Sequence, residues 1–568
     1  MGGELNSVVK TENVQGRFCM IFPDAYSIGM SCHAIQVLYA LMNQQPGWAC
    51  ERSFAPQKDM EDLVRKYNLP WFSWETNTPL KDFDVLGFTL QHELCYTNLL
   101  TMLDVAGIPL YGKDRTDADP LVCAGGPCVW NPEPLADIID VFQVGDGEKM
   151  LPECCAEWLE LKQAGVPRQE ALHRLAAAFD CIYVPACYRL DENFCPVPLY
   201  DDVPKEIHPA VVPDLEKYPL PVKPVIPWVE AVQDRVAVEV MRGCPWRCRF
   251  CQSCPIKRPL RFRSPETVVK AVEESIQNTG YEEVTLLSLS TGDYPRINGL
   301  ISELNARMAS SGVSISVPSL RVNPKLATLG EVLKTQKHGG LTIAVEAALE
   351  DMRTIIGKPI TNDNLMEGCR IAFSHGFQRV KMYFMCGFPG ETEADWEGII
   401  ELAEIVARLG KEVSGRWPKI TISCSNLVTK PHTPFQWYGM RTKDYFREAS
   451  RYLRFRRLPS SISIHTHDIE GSLLEGVMCR GDRRVGAAIV EAWRNGARFD
   501  SWTDMFKPSI WHEAFETVGL DVESILHKDR VLGDRFPWDF IKIRQGQEYL
   551  EREYLQSQED LKTRQEQK

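Results

Sequence analysis

Residues 239–259 read EVMRGCPWRCRFCQSCPIKRP, placing Cys244, Cys248, Cys251 and Cys254 in one loop just after an apolar run. The first three thiols form C-x3-C-x2-C. With 19 cysteines in 568 residues, that spacing has a chance of roughly 2% anywhere in the chain, so it needs an explanation. Tetrahedral zinc takes four ligands, most often as two separated pairs, and Cys254 could supply the fourth. Three thiolates in one short loop suit an iron–sulfur cubane better, because its remaining iron stays open to a small ligand.

Outward from this loop, strand-like and helix-like stretches alternate. Apolar runs RVAVEV, EVTLLSLS, SISVPSLRV, GLTIAVEA, RVKMYFMCGFPG and KITISCSNLV read as strands. Between them lie amphipathic stretches, including SPETVVKAVEESIQNTG and TEADWEGIIELAEIVARLG. Six such units over 235–430 predict an α/β fold, a partial (β/α)6 barrel of TIM type. Sites in such barrels lie at the C-terminal ends of the strands, and the cysteine loop follows the first of them.

The same alternation occupies 1–194. RFCMIFPD, FDVLGFTL, PLVCAGGP and DVFQVGDGE read as buried strands ending in turn residues, which predicts a doubly wound, Rossmann-like domain. Gly125-Gly126 and Gly145-Asp146-Gly147 fall at strand ends, where such sheets bind ligands; plain tight turns are the alternative. Residues 195–234 are too rich in proline for a helix or central strand and read as a connector. Residues 431–568 read as mainly helical and basic, closing on EYLEREYLQSQEDLKTRQEQK, a polar segment expected to fray.

Composition narrows the function. The net charge is −13 and the longest apolar runs are strand-sized, so neither a bilayer span nor broad nonspecific nucleic-acid binding is expected. The N-terminal residues lack the order of a signal peptide, and the thiols lie inside apolar segments. A cytoplasmic protein with reduced cysteines and no membrane partner is expected. Local basic clusters run against the overall charge: Arg242, Arg247, Arg249, Lys257, Arg258, Arg261 and Arg263 around the loop, and Arg441 to Arg457 beyond it. They could steer RNA as a substrate, balance the charge of a cluster, or form the solvated side of a helix whose buried face is Phe446, Ala449 and Leu453.

C-x3-C-x2-C with Phe250 before the last cysteine, after the first strand of a β/α barrel, resembles the radical S-adenosylmethionine (SAM) superfamily. The resemblance implies a 4Fe-4S cluster on Cys244, Cys248 and Cys251, with SAM on its open iron and reductive cleavage to a 5′-deoxyadenosyl radical. Cys254 departs from that pattern and is expected to be structural. By the same resemblance, SAM contacts fall on Ser290, Thr291, Gly292 and Asp293 at the second strand and on Ser319 and Arg321 at the third. Glu346 at the fourth and Gly387 and Pro389 in GFPGET would complete them. Each of these residues could equally cap a strand end. A low-potential electron donor such as flavodoxin or ferredoxin is implied.

FPDAYSIGMS, TPLKDFDVLGFTLQHELCYTN, AGGPCVWNPEPLAD, KPHTPFQW and RGDRRVG together resemble an uncharacterised family of cobalamin-binding-type radical SAM proteins. Such proteins carry a Rossmann-like cobalamin-domain homologue before the barrel. Asp-x-His-x-x-Gly, the motif of a lower axial histidine, does not occur, and His33 reads as a packing residue. Ala124-Gly125-Gly126 resembles the turn that passes a corrinoid's nucleotide tail. The resemblance implies a radical SAM enzyme, with cobalamin-dependent methyl transfer as one outcome. The alternatives are cobalamin-free chemistry, namely sulfur insertion or rearrangement with RNA as one candidate substrate, or a non-catalytic redox module. The cysteines of the first domain do not match the second-cluster pattern of methylthiotransferases.

Overall fold

The computed structural model describes residues 2–317 and 340–566. The chain forms two compact units. One holds the chain up to Asp234 with Leu474–Ile525 and Gly533–Arg544; the other holds Arg235–Leu473, Leu526–Leu532 and the chain from Gln545. Residues after 430, expected as one helical region, are thus shared between the two units. Among the described residues no helix is long and apolar enough to cross a membrane.

In the first unit six strands form one sheet: β1 (Gly16–Phe22), β2 (Trp48–Phe54), β3 (Val85–Thr89), β4 (Leu121–Gly125), β5 (Val141–Gln143) and β6 (Ile182–Tyr183). Their order is β2-β1-β3-β4-β5-β6, parallel except for β6, which runs antiparallel to β5. Near-continuous apolar sequences such as CMIF in β1 follow from burial on both faces of a parallel sheet. β2 escapes this reading because Glu51 and Arg52 interrupt its apolar run, although every residue in it is buried. The fold compensates the charge of Arg52 with Glu75 at 2.6 Å and Glu4 at 3.4 Å. Strand order reverses at β1, so the ligand crevice of such a sheet lies beyond the C-terminal ends of β1 and β3.

The proline-rich stretch 195–234 opens on the second strand of a short hairpin, β7 (Tyr188–Leu190) with β8 (Pro196–Pro198). It then crosses the end of β5, where Ala210 pairs with Gly145 and the Asp146 carboxylate accepts the Val212 N–H at 2.9 Å. The helix Arg484–Arg494 returns to this unit and packs on the helix Tyr96–Val105.

The second unit begins with β9 (Val236–Glu239). A two-residue antiparallel pair, β10 (Met241–Arg242) with β11 (Arg261–Phe262), closes the cysteine loop at its base. β12 (Glu283–Leu287) and β13 (Ser314–Ser316) extend the first sheet in the order β13-β12-β9, all parallel. A second parallel sheet runs β14 (Leu341–Glu346), β15 (Arg379–Cys386), β16 (Lys419–Asn426) and β17 (Ile462–Thr466). Among the described residues β17 is a seventh parallel strand of this unit, inside a region read from sequence as helical and basic.

Helices between the strands start and stop where their caps dictate. Ser264 caps Pro265–Thr279, with proline at the first turn and Gly280 in the left-handed conformation at its end. Thr392 and Asp395 form a capping box for Glu393–Ser414. Through Glu566 the final polar segment forms the helix Gln547–Glu566, burying Leu550, Tyr554, Ser557 and Arg564. Arg564 anchors it through Asp395 at 2.6 Å and Asp351 at 2.8 Å, partners far too distant in sequence to be foreseen.

Candidate functional site

The cysteine loop starts at Gly243, whose φ of +89° is left-handed. A Cβ there would lie 2.9 Å from the Lys257 carbonyl, so the loop's two strands close on each other only with glycine. Two tight turns follow, with the Cys251 N–H donating to Cys248 O at 3.2 Å and the Cys254 N–H to Cys251 O at 3.3 Å. Cys244, Cys248 and Cys251 stay partly exposed, whereas Cys254 is buried. Its thiol donates to the Trp246 carbonyl at 2.6 Å, and Arg258 donates to the same oxygen at 3.1 Å. The loop therefore presents three thiols and locks the fourth into its own backbone.

Burial pushes the Cys251 thiol up to about 12, helped by the neighbouring Cys248. Burial likewise pushes Cys254 up to about 11, against the lowering pull of Arg258. Crowded thiols of this kind ionise readily only when a bound metal supplies positive charge. The donor set fits a three-thiolate cluster.

The loop is braced from behind. The Arg249 guanidinium is buried and donates to Ile355 O at 2.9 Å, Asp560 at 2.6 Å and Glu553 at 3.3 Å. Gly357 (φ +68°) stands where a Cβ would meet the Arg247 carbonyl at 2.8 Å. Phe250 packs against the cluster of Met352, Ile355, Ile356, Phe388 and Phe435, with its ring 6.0 Å from that of Phe388.

At the end of β12, the Ser290–Asp293 turn joins this loop. Asp293 accepts from Trp246 Nε1 and from Ser290 Oγ, both at 2.6 Å. Thr291 is fully buried and spends its hydroxyl on Ser288 and the Leu286 carbonyl, while Gly292 lies between them in a single 3-10 turn. Ser319 and Arg321 lie outside the described residues. Glu346 closes β14 at a bulge with φ +69°, a conformation costing a non-glycine residue on the order of 1–3 kcal/mol. Lys358 holds its carboxylate at 2.8 Å.

In GFPGET, Gly387 has φ +105° and its N–H donates to Glu391, which also accepts from the Tyr445 hydroxyl. Pro389 sits partly exposed in the same turn. Burial raises the Glu391 carboxyl to about 7. Glu391, Trp246 and Lys358 are not among the residues the sequence points to, because their contacts come from other elements; only the Gly-Glu-Thr run before a helix hints at Glu391.

Much of the basic character is internally paired. Arg242 chelates Glu239 through two contacts of 2.9 Å, Arg483 meets Glu133, Arg484 meets Asp482, and Arg456 meets Glu397. Phe446, Ala449 and Leu453 are the buried face of their helix, as expected.

In the first unit, among the described residues, Gly125 has only Gln143 O within 4 Å of its Cβ position, leaving room beside the end of β4. Gly126 (φ +108°) instead faces the Leu90 carbonyl, 2.5 Å from where its Cβ would be. Gly145 faces Ala210 in the same way. His33 opens the helix His33–Gln44. Beyond β3, ligand atoms of His92, Glu93 and Glu475 lie within 4.8 Å of one another.

Residues 238–403 match the model of the radical SAM superfamily, and residues 34–185 match that of the N-terminal region of radical SAM proteins. An uncharacterised protein of Methanocaldococcus jannaschii is 28% identical over 509 residues, covering 87% of this chain and 97% of its own. The ribosomal protein uS12 methylthiotransferase RimO of Trichormus variabilis is 24% identical over 184 residues, 29% of this chain and 39% of its own. The radical SAM methyltransferase TsrM of Kitasatospora setae, solved with cobalamin and a 4Fe-4S cluster, superposes with a TM-score of 0.51 at 15% identity, over 88% of this chain and 99% of its own. At that identity the likeness is one of fold.

Proposed function

The chain belongs to the radical SAM superfamily and is an enzyme that uses a 4Fe-4S cluster and SAM, and from that premise we propose that it is a cobalamin-dependent methyltransferase acting on an unactivated carbon. When bound, the cluster supplies the single electron that breaks a carbon–sulfur bond of SAM. Cys244, Cys248 and Cys251 hold three of its irons. Asp293 and Glu346 offer carboxylates to the cationic groups of SAM, and Ser290 orients Asp293. Gly387, Pro389 and Glu391 shape the turn that closes over the ligand. Ser319 and Arg321 complete the contact set proposed for SAM. Gly125 and Gly126 mark the proposed passage for the corrinoid's tail, and a low-potential donor such as flavodoxin or ferredoxin provides the electron.

The observation that carries this reading is the pairing, in one chain, of a doubly wound domain with space beside Gly125 and a barrel whose first loop presents three thiols. A second reading, cobalamin-free chemistry with the first domain kept for packing, is supported by Gly126 and Gly145, whose open sides meet Leu90 and Ala210. RNA as substrate has weaker support, since so many of the basic residues are paired with carboxylates. The products decide between the two main readings. S-adenosylhomocysteine formed together with 5′-deoxyadenosine supports methyl transfer, and 5′-deoxyadenosine alone supports the second reading.

A further inference from the structure

A recess of about 270 Å³ adjoins the cysteine loop, lined by Arg247, Arg258, Gln545, Glu548, Tyr549 and Arg552. The Tyr549 ring centroid lies 5.9 Å from the Arg247 guanidinium and 5.5 Å from that of Arg552, within cation–π range of both. We propose that this recess is the docking point for a carboxylate-rich face of the protein that delivers the electron. The inference rests on the radical SAM reading and adds the residues that would receive the donor.

Charge is the first argument. The chain carries a net −13, and the arginines behind the loop are engaged by acids, Arg242 with Glu239 and Arg249 with Asp560. Among the described residues Arg247 and Arg258 enter no ion pair, and Arg552 has only the loose contact with its neighbour Glu553 at 3.8 Å. Three guanidinium groups against the single lining carboxylate of Glu548 leave a local positive site on an acidic protein. Such a site steers an acidic partner and fixes its orientation.

Placement is the second argument. Arg247 is bonded directly to Cys248, with about 3.8 Å between their Cα atoms. A partner held on Arg247 therefore touches the loop that carries the three thiols. Shape is the third: Arg247 and Arg552 are exposed at an open recess. Forked donors at an open rim match surface carboxylates rather than an enclosed small molecule. In the transfer itself the donor is oxidised by one electron and the cluster on Cys244, Cys248 and Cys251 is reduced by one; no group moves.

The test is binding of oxidised flavodoxin to the immobilised holoenzyme at about 50 mM and about 300 mM salt. Arg247→Glu and Arg552→Glu are compared with Arg447→Glu, the same charge change at an exposed arginine elsewhere on this unit. The expected result is roughly tenfold weaker binding in each recess variant at low salt, a smaller salt dependence, and no change in Arg447→Glu. Equal weakening in all three, or none in the recess variants, overturns the proposal. So does saturable binding of inorganic phosphate that Arg552→Glu abolishes while flavodoxin binding persists. A second arm compares SAM cleavage driven by reduced flavodoxin with cleavage driven by dithionite. Arg552→Glu is expected to raise the KM for flavodoxin and leave the dithionite rate unchanged. Absence of dithionite-driven cleavage in the wild type would count against the radical SAM reading itself, and the binding arm would still judge the docking site.

Discussion

Trp246 Nε1 lies 2.6 Å from Asp293 Oδ2, tying the loop that carries the three cysteines to the turn at the end of the second barrel strand. The contact fixes Asp293, one of the carboxylates proposed for SAM, relative to the thiols. A hydrogen bond to a charged group contributes about 1.5–3 kcal/mol. Trp246→Phe keeps the ring and removes the donor. It is expected to weaken SAM binding by roughly tenfold with iron content unchanged, as read by equilibrium binding and iron analysis. Loss of iron in parallel would make Trp246 a support for the cluster alone.

The four thiols separate by role. Cys244→Ala, Cys248→Ala or Cys251→Ala should each lose most bound iron and all SAM cleavage. Cys254→Ala should keep both, at a stability cost of about 1–2 kcal/mol from the lost contact to the Trp246 carbonyl. Iron analysis and thermal unfolding of the reconstituted variants check this. Iron loss in Cys254→Ala equal to that in Cys248→Ala would assign Cys254 to the cluster.

Arg249 sits between Cys248 and Cys251 in sequence, and its charge is met by Glu553 and Asp560 of the last helix. Removing one side of a buried ion pair costs about 3–5 kcal/mol. Deletion from Gln547 onward should therefore loosen the loop and reduce retained iron. The double substitution Glu553→Gln with Asp560→Asn should do the same in the full-length chain, which separates the charge effect from loss of the helix.

Glu391 provides a pH prediction. Its folded-state carboxyl is raised to about 7, so between its ordinary value and about 7 the folded protein binds more protons than the unfolded chain. Stability from this group is present at low pH and is lost as pH rises through about 7, by at most about 3 kcal/mol. Melting temperature should fall between about pH 5 and about pH 7 and level off above that, and Glu391→Gln should flatten that slope. An unchanged slope in the variant would place the effect elsewhere.

How much of this was legible in the sequence depends on how local each cause is. The thiol spacing and the amphipathic repeats of 264–280 and 392–410 act within a few residues, and the loop and the helices were readable from them. β2 was hidden because the neutralising partners of Arg52 lie at positions 4 and 75. β17 is five residues long and follows an arginine-rich helix, so its apolar alternation was swamped. The last helix reads as polar because what holds it is Arg564 reaching Asp395, 169 residues away in sequence. The Ser290–Asp293 turn was legible as a strand-end turn and a candidate contact, but the link from Asp293 to Trp246 was not, because it joins two separate loops.

The central claim is that Cys244, Cys248 and Cys251 hold a 4Fe-4S cluster, and metal content after anaerobic purification from cobalamin-supplied cells tests it most directly. The account predicts about four irons and four sulfides per chain, lost when all three cysteines are replaced by alanine. One zinc per chain in place of iron, or full iron retention in that triple variant, would contradict it.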